Sequence, residues 1–481
     1  MKLSPGSIKF TKEEYLFISI GVLLSLLMAV GAVFTESYYL PLLPVLALVA
    51  FIYLIFVFRE PFNGLIGAIV YCFFFYVLGR EIDGGIPYGM GIEILLGVTL
   101  LSVWYNADKM DFSLLKSNLF FLMLFWFILS ILEIANPAGA SMQGWLQEIR
   151  GVALVPFMLV CLGLLLINNL KRVKLFVILI LTFSLIGALN GIKQKHIGLS
   201  AGEQRWLDAV GYITHILGGN LRIFSFYSEA AQFGASMGQF VSLAIVLALG
   251  VKMWNRKVFL ILCGGILFYG MLISGTRGAL FALLVSAVFS IFLTKRIRVI
   301  FSGGIVLMLF FCFLKFTTIG NTNYGIFRLR SAVNPQDKSL NLRFSNQQKL
   351  SDYLSSRPFG GGLGVIGAFG HAFNSDKYLS TIEPDSYWVK LWAEYGIVGF
   401  TLWFCMMMYF LGSITGIVWK TRDPNLRVKL CGLGGSVAGL FACSYGNEVM
   451  NNMPSSLVIY LSLAVLFNAP RLDKEQAPVK T

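Results

Sequence analysis

Charge is scarce in this chain. Only 13% of its 481 residues are Asp, Glu, Lys or Arg, about half of what soluble domains carry, and that excludes an ordinary water-soluble globule. Histidine is scarcer. His196, His215 and His371 are the only three, too scattered to propose a metal site. The seven cysteines (Cys72, Cys161, Cys263, Cys312, Cys405, Cys431 and Cys443) lack C-x-x-C spacing. They lie in or at the ends of apolar runs and read as small core residues. The G-x-S-x-G elbow, the H-E-x-x-H pair and the Walker A loop are all missing, which removes the hydrolase, zincin and P-loop readings. No repeat array, low-complexity tract or separate soluble domain is visible. No metal and no cofactor is expected.

What is present is apolar length. Hydrophobic residues make up 57% of the chain, in repeated runs near the length that crosses a bilayer as helix. The expected fold class is all-α: a polytopic integral membrane protein with about fourteen spans in a single membrane domain, 1–481. The runs lie at 14–34, 38–58, 62–79, 90–105, 118–134, 151–168 and 174–192, then 231–250, 257–273, 277–294, 299–316, 386–416, 430–445 and 452–469. The run at 386–416 is long for one helix, so it tilts or begins outside the bilayer. Lys2, Lys9 and Lys12 precede the first run, which reads as a membrane helix rather than a cleavable signal.

Charge orients these spans. With the N-terminus in the cytoplasm, Arg59, Lys109/Lys116, Lys171/Arg172/Lys174 and Lys252/Arg256/Lys257 fall on one side. So do Lys295/Arg296/Arg298, Lys420/Arg422/Arg427/Lys429 and the tail Arg471/Lys474/Lys480. Only single arginines, Arg80 and Arg150, fall in short loops opposite. This is the positive-inside pattern of an even number of spans with both termini cytoplasmic. It also accounts for the net charge of +14 without a nucleic-acid partner. Two longer loops then face outward, 193–230 and 317–385. In the second, Ser339–Arg357 reads as a surface helix with Leu350, Tyr353 and Leu354 on one face, ended by Pro358 and the turn Gly360–Gly364. That turn lacks the strand–turn–helix setting of a phosphate loop.

Three residues at the outer mouth are chemical candidates. Arg277, in Ser274-Gly275-Thr276-Arg277-Gly278, opens a span almost without a loop. An arginine there must be solvated, paired or holding an anion, and a helix N-terminus favours phosphate; snorkelling to headgroups is the alternative. Arg222, in Arg222-Ile223-Phe224-Ser225-Phe226-Tyr227-Ser228-Glu229, precedes another span on the same side. Two guanidiniums clamp a diphosphate in a planar way that lysines do not, and a salt bridge to Glu229 or lipid is the other reading. Asp385 follows Glu383 and Pro384. It suits a helix N-cap or a general base near a partly dry interface.

In order, these motifs resemble the O-antigen ligase and polymerase superfamily of bacterial envelopes. The order is Arg-Ile-Phe-Ser-Phe before a span, Ser-Gly-Thr-Arg-Gly opening a later one, and an outer loop with Arg343 and Arg357-Pro358-Phe359-Gly360-Gly361-Gly362-Leu363-Gly364. Asp385-Ser386-Tyr387-Trp388 and Glu394-Tyr395-Gly396-Ile397-Val398-Gly399 follow. The resemblance runs from Arg222 to Gly399. It implies a metal-independent glycosyltransferase of the GT-C type in the bacterial inner membrane, working on the periplasmic face. The implied donor is an undecaprenyl-diphosphate-linked oligosaccharide, and direct displacement would invert the anomeric centre. The donor-binding arginines correspond to Arg222 and Arg277, and the long loop with Arg343 and Gly360–Gly364 shapes the acceptor site. Family ligases keep a histidine nine residues before the Glu of the E-x-G segment; here that place holds Asp385. The departure favours a Wzy-type polysaccharide polymerase over a ligase, with Asp385 as base and Glu383 assisting; Tyr387, Trp388 and Trp392 either support sugar rings or, for at least some of them, pack in the bundle. Expected partners are membrane lipid and a chain-length regulator protein. A ligase acting on lipid A-core or protein, and a transporter, are the other readings.

Overall fold

A computed structural model describes residues 11–35, 42–82, 87–322, 324–331, 338–384 and 386–475. Fourteen apolar helices lie where the sequence places spans. They are α1 (Lys12–Thr35), α2 (Leu42–Arg59), α3 (Phe62–Glu81), α4 (Met90–Tyr105), α5 (Asn118–Leu132), α6 (Met142–Leu166) and α7 (Leu170–His196). Then follow α8 (Ala230–Gly250), α9 (Trp254–Ile273), α10 (Gly278–Leu293), α11 (Ile297–Phe316), α12 (Tyr387–Lys420), α13 (Pro424–Cys443) and α14 (Ser455–Lys474). Among the described residues ten helices are long and apolar enough to cross a bilayer, and shorter apolar stretches of α1, α2, α4 and α10 complete the set. The protein is an all-α polytopic membrane protein. Among the described residues the only strands form a small hairpin, Ile216–Leu217 paired with Asn220–Leu221.

Contacts separate two units, Met1–Ile66 with Gly97–Met110, and Gly67–Leu96 with Asp111–Thr481. In the first, polar side chains bond to helical carbonyls: Ser102 Oγ donates to Val57 O (2.6 Å) and Asn106 Nδ2 to Phe58 O (2.8 Å). All that follows concerns the second unit.

Its interior is built on small residues, because lipid is as apolar as a leucine side chain and helices gain from close backbone approach instead. Gly435 and Gly439 of α13 lie against Ser286 and Ala282 of α10: a Cβ on Gly439 would sit 2.5 Å from Ala282 O. Ser290 Oγ donates to Cys431 O at 3.1 Å across the same seam. α14 is buried along most of its length, whereas α11 is buried along almost none.

Polar contacts mark both ends of α12. At its C-terminal end Asp473 accepts from the backbone N–H groups of Arg422 and Asp423, both at 2.8 Å, and Arg471 Nη1 pairs with Asp111 Oδ2 at 2.7 Å. At its N-terminal end Ser386 fills the cap, with Oγ accepting from Val389 N at 3.3 Å. The cap position considered for Asp385 therefore belongs to Ser386. Asp385 itself lies outside the described residues.

The long run at 386–416 carries a break inside its helix. Gly396 has φ +66° and ψ −171° inside α12, a conformation that glycine adopts at little cost. The break frees carbonyls of the preceding turn, and the Gly360–Gly364 turn docks there. Gly361 N donates to Ala393 O (2.8 Å) and Gly362 N to Glu394 O (3.0 Å), and Gly364 N donates to Glu394 Oε1 (3.0 Å). In return, Val398 N donates to Pro358 O at 3.2 Å. Tyr395 fills the space between, its ring 4.5 Å from that of Trp126 and its hydroxyl 2.6 Å from Ser130 Oγ. The Glu-Tyr-Gly segment is thus a structural joint between the long loop and α12. The helix Lys338–Leu354 seats the rest of that loop, with Leu350 and Leu354 in one apolar cluster with Ile366, Leu379 and Val389. Arg357 closes its C-terminus, Nη1 donating to Tyr353 O at 2.9 Å as helix C-termini favour.

Candidate active site

At the N-terminal end of α12 a cavity of about 970 Å³ opens, lined by five arginines: Arg222, Arg277, Arg328 and Arg343 from four separate segments, and Arg150 from α6. Arg222 and Arg277 belong to the segments that sequence reasoning picks out. Arg343 also reaches the cavity, from the helix Lys338–Leu354. Arg328, on the helix Tyr324–Ser331, escaped notice because nothing in its local sequence distinguishes it from a solvated loop arginine.

Arg222 follows the hairpin strand Asn220–Leu221, and its backbone N–H donates to His215 O at 2.8 Å. Its guanidinium is held from two sides: Nη1 donates to Thr214 O at 3.0 Å and Nη2 to Thr276 Oγ1 at 2.9 Å. Nε is buried without a hydrogen-bond partner among the described residues. Burial pushes the guanidinium down from its ordinary value; Glu229 opposes that, while Arg328 and Arg277 add to it. An arginine in this position stays charged, so the crowding is compensated by any anion that enters.

Gly275 connects α9 to α10 with φ +58°, and Arg328 Nε donates to its carbonyl at 3.3 Å. Arg277 occupies the N-cap position of α10, where no side chain caps the first N–H groups. Next to it, Cys443 Sγ donates to Gly278 O at 3.2 Å. Arg343 comes within 3.6 Å of where a Cβ on Gly446 would lie. The segments around 275–278 and 443–447 are therefore adjacent, with the arginines about them.

The other half of the cavity carries carboxylates. Glu148 and Lys390, both nearly inaccessible, form an ion pair with Nζ 2.8 Å from Oε2, and Glu448 Oε2 lies 3.5 Å from the same ammonium. Asn451 Nδ2 donates to Glu448 Oε2 at 3.4 Å and Asn452 Nδ2 to its carbonyl at 2.6 Å. Arg150 Nη2 pairs with Glu93 Oε1 at 2.8 Å, while its Nη1 donates to Gln147 Oε1 at 2.8 Å. Arg150 begins a π-helical turn, Arg150–Leu154, within α6, a local widening often found at functional sites. The apolar run was expected to start at 151; the helix starts earlier because Glu148 and Arg150 satisfy their charges inside the protein. Lys390 and Glu394, one turn apart in an apolar run, were a legible signal that the hydropathy reading passed over.

The remaining predicted residues divide. Glu383 lines the cavity, exposed, with Oε1 2.8 Å from His371 Nε2. Tyr387 is buried and Trp388 packs among Trp403, Phe404, Phe441 and Tyr445, its Nε1 donating to Phe441 O at 3.1 Å. Both sit outside the cavity lining, because the first turn of α12 turns Lys390 toward the cavity and these rings into the bundle. The Gly360–Gly364 turn is likewise outside the lining, spent on the joint at Gly396. Beneath the hairpin, His215 accepts from Ala230 N at Nε2 (3.2 Å) and faces Gly211 O with Nδ1 (3.1 Å). Burial, reinforced by Arg222, pushes its imidazole down to about 4, so it is neutral where it supports the hairpin.

Residues 262–404 match the family model described as O-antigen ligase. Over that stretch the chain is similar to the O-antigen ligase family. The matched stretch takes in Arg277, Arg328, Arg343, Glu383, Lys390 and the break at Gly396; Arg222 and Glu448 lie on either side of it. No curated protein matches the chain.

Proposed function

We propose that this protein polymerises lipid-linked polysaccharide repeat units, of O-antigen or exopolysaccharide type. Glycan passes from an undecaprenyl-diphosphate donor to a sugar hydroxyl of the acceptor. The observation that carries the reading is the meeting of Arg222 and Arg277, with Arg328 and Arg343, in one cavity beside a group of carboxylates. Four guanidiniums suit a diphosphate with its planar, multidentate demand. They stabilise the negative charge that grows on the leaving diphosphate as the glycosidic C–O bond breaks. No metal is needed for that step, because the guanidiniums carry the charge compensation.

The acceptor hydroxyl loses its proton as it attacks, and Asp385 is the base in this reading, with Glu383 beside it in sequence. Attack opposite the leaving group inverts the anomeric carbon. The positive-inside pattern supports a cytoplasmic setting for the basic loops at the Asp473 end of α12 and a periplasmic one for the cavity. That is the face where a lipid-linked repeat unit waits after translocation across the inner membrane. A chain-length regulator is the protein partner that polymerisation calls for.

A second reading is ligation of finished glycan to a lipid or protein, favoured by the description of the matched family model. Polymer length in a deletion strain separates the two. Loss of long chains with single repeats retained supports polymerisation, and unattached long chains support ligation. Accumulation in the cytoplasm would overturn both in favour of transport.

A further inference from the structure

Arg80 lies outside the cavity lining, and it is almost fully buried at the C-terminal end of α3. Its guanidinium sits between two rings, 4.2 Å from the centroid of Trp206 and 4.6 Å from that of Phe224. From there it donates to three carbonyls of one short segment: Nη1 to Ser225 O at 2.8 Å, and Nη2 to Tyr227 O at 2.5 Å and Ser228 O at 3.1 Å. Both ends of that segment, Arg222 and Glu229, line the cavity.

The middle of the segment is strained. Ser225 has φ +51°, in the left-handed region that residues with a Cβ enter only at a cost. Such a conformation persists when its surroundings over-determine it, and these cases cluster at functional sites. Here every polar group of Ser225 is held. Its N–H donates to Gln194 Oε1 at 2.8 Å, and its Oγ donates to Gly187 O at 2.7 Å and accepts from Asn190 Nδ2 at 3.2 Å. Its carbonyl takes Gln194 Nε2 at 3.3 Å in addition to Arg80. Gln194 is fixed in turn, donating to Glu203 Oε1 at 2.8 Å, and Glu203 closes a capping box with Ser200. Packing alone would not require three carbonyls to converge on one buried guanidinium.

We infer that Arg80 is a positioning residue: by gripping Ser225, Tyr227 and Ser228 it holds the segment 222–229 in one strained conformation and so sets Arg222 in the cavity. Lysine is a poor substitute, because a single ammonium on a flexible stem cannot reach three carbonyls in the fixed fork of a guanidinium. The consequence for binding rests on the diphosphate reading of the cavity; the conformational part does not.

The test uses the full chain in lipid nanodiscs, comparing wild type, Arg80→Lys, Arg222→Ala and the double variant Arg80→Lys/Ser225→Gly. Hydrogen exchange followed by mass spectrometry reads residues 222–229, and titration with inorganic pyrophosphate reads anion affinity. Arg80→Lys is expected to exchange faster in this segment with the helices elsewhere unchanged, and to bind pyrophosphate roughly tenfold more weakly, the equivalent of about 1.4 kcal/mol. Glycine enters the left-handed region freely, so Ser225→Gly is expected to recover part of that affinity, which a general loss of stability would not allow. Unchanged exchange in Arg80→Lys overturns the inference. So does unchanged affinity in Arg80→Lys where Arg222→Ala weakens binding. If exchange rises in Arg80→Lys while Arg222→Ala leaves binding intact, the positioning of the segment stands and the diphosphate reading falls.

Discussion

Lys390 Nζ lies 2.8 Å from Glu148 Oε2, joining the first turn of α12 to the part of α6 just ahead of its π-helical turn. Both residues are removed from solvent, so the pair holds two walls of the cavity together at a place where an unpaired charge would be costly. Lys390→Met or Glu148→Gln is expected to destabilise the protein by roughly 3–5 kcal/mol. The double variant should cost less than the two losses added. Thermal unfolding in detergent measures this, and strictly additive losses would show the two groups are uncoupled.

Arg222 and Arg277 are proposed to act on the same diphosphate. Replacing either by alanine should lower chain extension on the order of a hundredfold at unchanged protein level. Lysine in either place should recover only part of that, for want of the planar fork. Chain extension is read with the purified lipid-linked repeat unit. Wild-type extension by Arg277→Ala would remove this arginine from the mechanism.

Asp385 discriminates by its proton. With Ser386 filling the helix cap, Asp385→Asn is expected to keep the fold and lose extension as fully as Asp385→Ala. An active Asp385→Asn would rule out base catalysis, whatever the stability of the protein.

His215 makes stability depend on pH in a defined direction. Its folded pKa is depressed from 6.5 to about 4 by burial and Arg222. Between those values the unfolded chain takes up a proton that the folded chain refuses, so stability falls as pH drops through the window and levels off below it. The loss amounts to about 3 kcal/mol. His215→Gln should show a smaller drop in thermal midpoint between pH 7 and pH 5 than wild type. Equal drops would assign the effect to other groups.

Gly396 is the joint of α12. Gly396→Ala adds a Cβ at φ +66° against the Pro358 carbonyl and Gly360 N, and is expected to cost roughly 1–3 kcal/mol from conformation alone and more from the collision. Folded yield by fluorescence size-exclusion reports it. Gly399→Ala, on the same helix, gives a comparison without the positive φ.

The segment Glu394-Tyr395-Gly396 shows where local reading stops. In sequence it resembles a functional signature; in the fold Glu394 accepts from Gly364 N, Tyr395 packs on Trp126, and Gly396 breaks the helix to receive the Gly360–Gly364 turn. Tyr387 and Trp388 read as sugar platforms because they sit near Asp385 in the chain. Their direction is set by helical phase, and the phase turns them inward.

The sequence by itself determined the class, the positions of the fourteen apolar helices and the alternation of basic loops. These are local properties, since apolar run length and charge bias act on each segment separately through the bilayer. It also singled out Arg222 and Arg277, because an arginine beside an apolar run is conspicuous wherever the chain goes; Arg343 came only with the family resemblance. Tertiary structure alone decided that these arginines share a cavity with Arg328, that Lys390 stands between Glu148 and Glu448, and that Arg80 grips the Ser225 turn. Those contacts join residues far apart in the chain. Helix packing brings them together, and no local pattern encodes which distant charge each one meets.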